Sequence, residues 1–216
     1  MKFYEYTTSK DPKYLVVFLH GYGANGQNLI TLADDFAEVL PQAFFLSPNA
    51  IQPWEGRFPN AYQWFSLYEN DQRKSLQKLS SEIKNANKIL QNFLNEQLTR
   101  FKLKHRELIL IGFSQGSMMA NYQAMISKQQ LAGVISYSGK IIEPTSIGEE
   151  ITSKTKTCLI HGRDDSVLDF DNFLEAQKIL TKLQIPFESH GLYDLDHAID
   201  HRGINIAKQF IKSITK

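Results

Sequence analysis

Hydrophobic positions follow two alternating patterns along the chain. Short continuous apolar runs predict buried strands, and longer stretches with apolar residues three and four positions apart predict helices with one buried face. This alternation predicts an α/β fold, with a mostly parallel central sheet and helices on both faces. The predicted strands cover 14–19, 43–46, 108–113, 133–137, 157–160 and 187–190, and the predicted helices cover 29–40, 76–94, 117–126, 173–183 and 204–214.

Length and composition agree with a folded enzyme-sized unit. The chain has 216 residues, of which 42% are hydrophobic and 22% are charged. No linker, repeat or low-complexity tract interrupts the pattern, so we expect a single domain over 1–216. The net charge of +1 provides no field that would attract a nucleic acid, and no nucleic-acid partner is expected.

The chain lacks the features of exported, membrane-spanning or thiolate-metal proteins. Its N-terminus has no apolar stretch of the secretory kind, and no apolar run approaches the length of a membrane span. A cytoplasmic protein without a transmembrane segment is therefore the expectation. The one cysteine, Cys158, excludes an internal disulfide and a multi-thiolate metal site, and we interpret it as a small buried hydrophobe.

The segment 51–70 is rich in aromatic residues but has neither helical nor alternating order. It fits two descriptions equally well. It is either a surface loop held to the core by its aromatic side chains or a flap that faces a substrate.

The motif from Gly112 to Gly116 carries the clearest chemistry. Its Ser114 lies between a predicted strand and a predicted helix, flanked by glycines in the order G-x-S-x-G. A serine on such a sharp turn exposes its hydroxyl above the sheet edge, and the glycines remove side chains that would clash there. Ser114 is therefore the candidate nucleophile.

A serine nucleophile needs a base and an acid, which in this order of elements come later in the chain. His197 precedes the last predicted helix and is the candidate base, because the other histidines fall in strands, turns or the helix itself. Asp165 follows a late strand and is the candidate acid. Spacing alone separates it poorly from Asp164 and Asp169.

The turn His20-Gly21-Tyr22-Gly23 follows the strand over 14–19. Its glycines allow backbone N–H groups to point at a neighbouring site, as an oxyanion hole requires. The N–H groups of Tyr22 and Gln115 form the natural pair. No Lys-Ser/Thr follows, which excludes a nucleotide-binding P-loop.

Taken together, these motifs resemble the phospholipase/carboxylesterase family of α/β-hydrolases, which includes acyl-protein thioesterases. The resemblance rests on HGYG at 20–23, SPNA at 47–50, WF at 64–65, GFSQG at 112–116, LAGV at 131–134 with SG at 138–139, HG at 161–162 with Asp165, and His197. It implies an α/β-hydrolase fold and a triad of Ser114, Asp165 and His197, and it places the acid on the second aspartate of the pair. Departures at Ser66, Ser117, Ser166 and Asp169 remove no catalytic group.

The resemblance implies a serine hydrolase that cleaves carboxylic esters or thioesters of short to medium acyl chains through an acyl-enzyme, without metal or cofactor. The substrate alternatives are a lysophospholipid and an S-acylated protein, and the oligomeric alternatives are a monomer and a homodimer. A non-catalytic α/β binding module is the remaining functional class, although it would be expected to have lost part of the triad. Plausible walls of an acyl pocket are Trp64, Phe65, Met118 and Leu168.

Overall fold

A seven-stranded sheet forms the centre of the structure, a computed structural model that describes residues 1–56, 58–70 and 72–215. Arg57, within the aromatic segment 51–70, lies outside the described residues, as do Asp71 and Lys216. The strands are β1 Phe3–Thr7, β2 Tyr14–Leu19, β3 Ala43–Pro48, β4 Gln52–Pro53, β5 Tyr62–Gln63, β6 Tyr68–Glu69, β7 Gln72–Arg73, β8 Leu108–Phe113, β9 Gly133–Tyr137, β10 Thr157–Gly162 and β11 Phe187–Leu192.

The order of strands in the sheet is β1-β3-β2-β8-β9-β10-β11. All neighbours pair in parallel except β1, which pairs antiparallel with β3 at the edge. The loops after β2, β8, β10 and β11 therefore all emerge at the carboxyl ends of the parallel strands. Open α/β sheets bind their ligands at this end. This arrangement confirms the predicted α/β class and its mostly parallel sheet.

Helices cover both faces of the sheet. On one face of β2, the side chains of Leu15, Val17 and Leu19 pack with buried side chains of the helices α3 (Leu76–Phe101) and α4 (Gln115–Ile126). On the opposite face, Val16 and Phe18 pack with α2 (Ala33–Ala37) and α6 (His201–Ile214). Within the described residues, no helix is both long and apolar enough to span a bilayer. The helices are α1 Gly26–Ile30, α2 Ala33–Ala37, α3 Leu76–Phe101, α4 Gln115–Ile126, α5 Asp171–Lys182 and α6 His201–Ile214, and short 3-10 turns cover His105–Glu107 and Pro144–Ile147.

The structure departs from the predicted elements near the N-terminus. The apolar stripe over 29–40, predicted as one helix, falls on two short helices, α1 and α2. The backbone N–H groups of Leu32 and Val39 donate to carbonyls three residues back, which is the tighter 3-10 pattern, and the α-helix is interrupted there. Strand β1 was not predicted. It is an edge strand whose side chains are partly or fully exposed on both faces of the sheet. Its sequence therefore has no continuous apolar run of the kind that predicts a buried strand.

The aromatic segment 51–70 contributes to two small hairpins, β4–β5 and β6–β7, rather than an unstructured loop. Trp64 is fully buried, and its indole Nε1 donates to the carbonyl of His20 at 2.9 Å. The buried side chain of Gln115 accepts from the backbone N–H of Trp64 at 2.9 Å and donates to the carbonyl of Phe65 at 2.7 Å. The segment is therefore hydrogen-bonded both to the turn after β2 and to the start of α4.

His20 joins a third loop to this network. Its Nδ1 donates to the carbonyl of Gly21 at 2.7 Å, and its Nε2 accepts from the N–H of Ala50 at 2.9 Å. These two bonds require the neutral ring, because Nε2 must keep its lone pair. Burial lowers the pKa of His20 to about 4, which agrees with a ring that stays neutral near pH 7.

We predict that Gln115→Leu destabilises the fold because it removes the buried side-chain amide. The change leaves the buried N–H of Trp64 and the buried carbonyl of Phe65 without partners, at a cost of about 1–3 kcal/mol for each group. Chemical denaturation measures the loss. The matched control is Gln123→Leu on the same helix, because the Oε1 of Gln123 is buried without a hydrogen-bond partner among the described residues. Equal losses in the two variants would contradict the bridging role of Gln115.

We also predict that the free energy of unfolding falls as the pH decreases from 6.5 towards about 4. An unfolded His20 binds its proton near the ordinary value of 6.5, whereas the folded ring resists protonation until about pH 4, so acid favours the unfolded state over that range. Urea denaturation across this range, compared between the wild type and His20→Gln, isolates the contribution of His20. The variant should show a shallower decline, and an identical decline in both proteins would count against it.

Candidate active site

Ser114 lies on the sharp turn between β8 and α4. Its backbone has φ 54° and ψ −118°, and residues other than glycine rarely adopt such a positive φ. The turn is held by the N–H of Ser114, which donates to the carbonyl of Tyr137 at 2.9 Å, and by the N–H of Met118, which donates to the carbonyl of Ser114 at 3.2 Å. The sequence prediction of a strand, a turn and a helix around Ser114 is confirmed.

Two glycines allow other backbones to approach this turn. A Cβ atom on Gly116 would lie 1.9 Å from the carbonyl oxygen of Leu19, so α4 begins in direct contact with the end of β2. A Cβ atom on Gly21 would lie 3.2 Å from the Cβ of Ser114. The turn after β2 and the serine are therefore packed against each other.

Asp165 is the buried carboxylate of the loop after β10. Its side chain has no exposed surface, and its Oδ1 accepts from the N–H groups of Val167 at 3.0 Å and Leu168 at 2.7 Å. Asp164 is exposed, and Asp169 accepts from the N–H of Asp171 at the start of α5. Of the three aspartates that spacing left open, Asp165 is the one that the structure pairs with a histidine.

That histidine is His197, in the loop between β11 and α6. Its Nδ1 lies 2.8 Å from Oδ2 of Asp165, and its ring packs on Phe113 with centroids 4.8 Å apart. Phe113 directly precedes Ser114, so the imidazole lies above the same turn. The competing histidines lie elsewhere: His201 begins α6, His190 is in β11 and His105 is in a 3-10 turn.

His161 is a second buried partner of the same carboxylate. Its Nε2 lies 3.2 Å from Oδ2 of Asp165 and 2.8 Å from the carbonyl of Leu168. Both neighbours are acceptors, so Nε2 carries a proton, and burial lowers the pKa of His161 and keeps the ring neutral. The sequence identified His161 as a brace of its turn, but nothing in the sequence indicated that it shares the carboxylate with His197.

Asp196 connects the acid loop to the base loop and was missed by sequence reasoning. Its Oδ1 accepts from the N–H and the hydroxyl of Ser166, both at 2.8 Å, and from the N–H of His197 at 2.7 Å. The hydrogen bonds from Ser166 lower the pKa of Asp196. Its position next to His197 was the only available signal. Ser166, a departure from the common family pattern, provides the two hydrogen bonds that join Asp196 to the acid loop.

One cavity of about 380 Å³ brings most of the predicted site residues together. Ser114, His197, Tyr22 and Gln115 line it, and so do Met118 and Leu168; we call it the Ser114 cavity. Trp64 and Phe65 do not line it. Both are buried in the hydrophobic core, because their backbones are held there by Gln115. Phe65 lines a small adjoining cavity of about 50 Å³ together with Met118, so a role for these residues in an acyl pocket stays a prediction.

The side chain of Tyr22 fixes the turn after β2 from outside. Its hydroxyl donates to Glu55, and its ring packs edge-on against Trp54 at a centroid distance of 5.9 Å. Glu55 also accepts from the hydroxyl of Ser66 at 2.5 Å. Burial and the neighbouring Glu55 raise the pKa of Tyr22, so its phenol remains a donor. Ser66, another departure from the family pattern, therefore helps to hold the loop that carries Tyr22.

One cluster of metal-ligand residue types lies away from this cavity. Ligand atoms of Cys158, Glu188 and His190 fall within 4.8 Å of one another on β10 and β11. Burial raises the pKa of the Cys158 thiol, and Glu188 lies 3.8 Å from the ammonium group of Lys156. A thiol that keeps its proton is a poor cation ligand, and the carboxylate beside it already has a lysine as neighbour. The complete burial of Cys158 confirms its interpretation as a small buried residue.

Comparisons with known proteins agree on one family. A family model described as Phospholipase/Carboxylesterase matches residues 6–215. Esterase YpfH of Escherichia coli strain K12 is 27% identical over 94% of this chain and 84% of its own length. Acyl-protein thioesterase 1 of Candida albicans is 23% identical over 94% of this chain and 93% of its own length.

The fold comparison gives the same result. The crystal structure of esterase PE8 has a TM-score of 0.88 and 33% sequence identity, and the match covers 96% of this chain and 95% of that one. Similarity of this extent in both sequence and fold includes the central sheet and the loops at its edge. The chain therefore belongs to the phospholipase/carboxylesterase family of α/β-hydrolases and is a carboxylic ester hydrolase.

Proposed function

We propose that the protein hydrolyses carboxylic esters or thioesters of short to medium acyl chains through an acyl-enzyme on Ser114, with His197 as the base and Asp165 as the acid. The observation that carries the proposal is the hydrogen bond between the buried carboxylate of Asp165 and His197, which lines the same cavity as the serine. The pair can hold one tautomer of the imidazole and stabilise the imidazolium that forms when the serine loses its proton.

The hydrogen bonds define which atom of His197 acts. Nδ1 donates to Asp165, which leaves the lone pair on Nε2 to accept the proton of the Ser114 hydroxyl. The serine oxygen then attacks the carbonyl carbon, and Nε2 returns the proton to the departing alcohol or thiol. Water then attacks the acyl carbon and loses a proton to the same nitrogen, which passes it to the Ser114 oxygen as the carboxylic acid leaves.

The developing oxyanion requires fixed donors beside the serine. The N–H of Gln115 is the first amide of α4, and amides at a helix start have no acceptor within the helix. The N–H of Tyr22 belongs to the turn that packs on Ser114. Fixed donors of this kind contribute about 2.7–4 kcal/mol each to transition-state stabilisation. The bonds of Tyr22 and Gln115 side chains to the aromatic segment keep both backbones in place.

The dimensions of the site favour short to medium acyl chains. A cavity of about 380 Å³ lies at the lower end of the range for small-molecule sites, which is roughly 300–1,000 Å³. Met118, Leu168 and the half-exposed Leu67 provide apolar walls. Esters and thioesters share the same carbonyl chemistry, and the relatives named above include both an esterase and a thioesterase.

We predict that Ser114→Ala abolishes turnover and leaves the fold intact, because the change removes only the hydroxyl oxygen. Initial rates are measured on p-nitrophenyl esters from acetate to palmitate, with an acyl-thioester in parallel. The wild type should be most active on the shorter esters. A matched control is Ser80→Ala, a partly exposed serine of α3 that does not line the Ser114 cavity, which should retain the wild-type rates.

Two outcomes would contradict the proposal. Wild-type rates in a folded Ser114→Ala protein would exclude the serine mechanism. Rates that rise steadily up to palmitate would exclude the preference for short to medium chains while leaving the mechanism in place.

A further inference from the structure

Arg73 brings a positive charge to the wall of the Ser114 cavity. It is the last residue of the hairpin β6–β7, opposite Tyr68, and both side chains line the cavity together with Ser114 and His197. Apolar side chains, among them Leu67 and Met118, line the same cavity. The cavity therefore combines a serine, a guanidinium and hydrocarbon surface in its walls.

Two acidic side chains near this hairpin, both among the described residues, pair with lysines. Glu82 pairs with Lys74 at 2.5 Å, and Glu69 pairs with Lys78 at 2.6 Å. Among the described residues, Arg73 makes no ion pair and no side-chain hydrogen bond. Its charge is thus open to a ligand in the cavity.

A second cation lies near Arg73. Lys140, which is half-buried, lines a small adjoining cavity of about 50 Å³ that Arg73, Leu67 and Met118 also line. Burial and the charge of Arg73 lower the pKa of Lys140. Two cations that line one small cavity, with no carboxylate among the described residues that line it, favour an anion beside them.

We propose that Arg73, supported by Lys140, binds a carboxylate at the far end of the acyl group, so that the preferred substrates are esters or thioesters of dicarboxylic acids. The inference rests on the proposed function, because it assumes an acyl group attached to Ser114. A planar guanidinium suits this task, since it can offer two parallel N–H donors to a carboxylate.

The position of the leaving group assigns the carboxylate to the acyl side. A second groove of about 310 Å³ shares Phe113 and His197 with the Ser114 cavity and is otherwise lined by Leu29, Leu32 and other residues, without a charged group apart from histidine. His197 lines both spaces and must return a proton to the leaving group. The leaving group fits this apolar groove, and the acyl chain fits the cavity that contains Arg73.

The test compares substrates that differ only in charge. The mono-p-nitrophenyl ester of adipic acid is paired with the p-nitrophenyl ester of adipamic acid, its neutral amide of equal length. We expect wild-type kcat/KM to be roughly three- to tenfold higher for the acid at low ionic strength. The ratio should approach one in Arg73→Gln and should fall with added sodium chloride, which screens the exposed guanidinium.

Arg106→Gln is the matched control, because Arg106 is an exposed arginine in a 3-10 turn outside the cavity. It should keep the wild-type ratio.

A second substrate pair places the charge on the leaving group: S-hexanoyl-3-mercaptopropionate and its amide. This pair should show a ratio near one in the wild type.

The possible results separate this inference from the function on which it rests. A ratio near one for the adipate pair in wild type would overturn the anionic preference, and an undiminished ratio in Arg73→Gln would overturn its assignment to Arg73; either result leaves the proposed function in place. A preference seen only in the mercaptopropionate pair would overturn the assignment to the acyl side. Hydrolysis that persists in Ser114→Ala would overturn the proposed function itself.

Discussion

The site depends on the backbone of one residue, Ser114, which is held at a φ of 54° between β8 and α4. Such a conformation costs of order 1–3 kcal/mol and persists only where the surroundings enforce it. The enforcement comes from buried strands on one side and from α4 on the other, which reaches the end of β2 because Gly116 has no side chain. The strain is thereby carried by the core, and the serine oxygen emerges where the loops of the parallel strands meet.

Buried polar contacts then fix those loops relative to the serine. Gln115 and His20 each bind two backbone groups, and together they hold the aromatic segment and the turn of Tyr22 in one arrangement. On the opposite side, Asp165 receives two backbone N–H groups and two histidines, so its charge is stabilised by four neighbours. A proposed acid with so many partners has little freedom to turn away from His197, and this rigidity is what the mechanism requires.

Local sequence patterns predicted the strands of the parallel sheet, the turn at Ser114 and the loop positions of Asp165 and His197, because burial and glycine requirements act within a few residues. They failed where the outcome depends on distant partners. Spacing left Asp164 and Asp169 as alternatives to Asp165; the family resemblance favoured Asp165, and burial beside His197 distinguishes it in the structure. The aromatic character of Trp64 suggested a pocket wall, whereas its side chain is fully buried in the core and hydrogen-bonded to His20 and its backbone is hydrogen-bonded to Gln115. Arg73 gave no signal at all, since its significance lies in which cavity the β6–β7 hairpin reaches.

The central claim is that Ser114 is the residue that forms the acyl-enzyme. The most direct measurement is to treat the folded protein with a fluorophosphonate, follow the loss of esterase activity and map the modified peptide by mass spectrometry. The account predicts a single adduct on Ser114 whose formation parallels the loss of activity. An adduct on a different serine, or full activity after complete modification of Ser114, would contradict it.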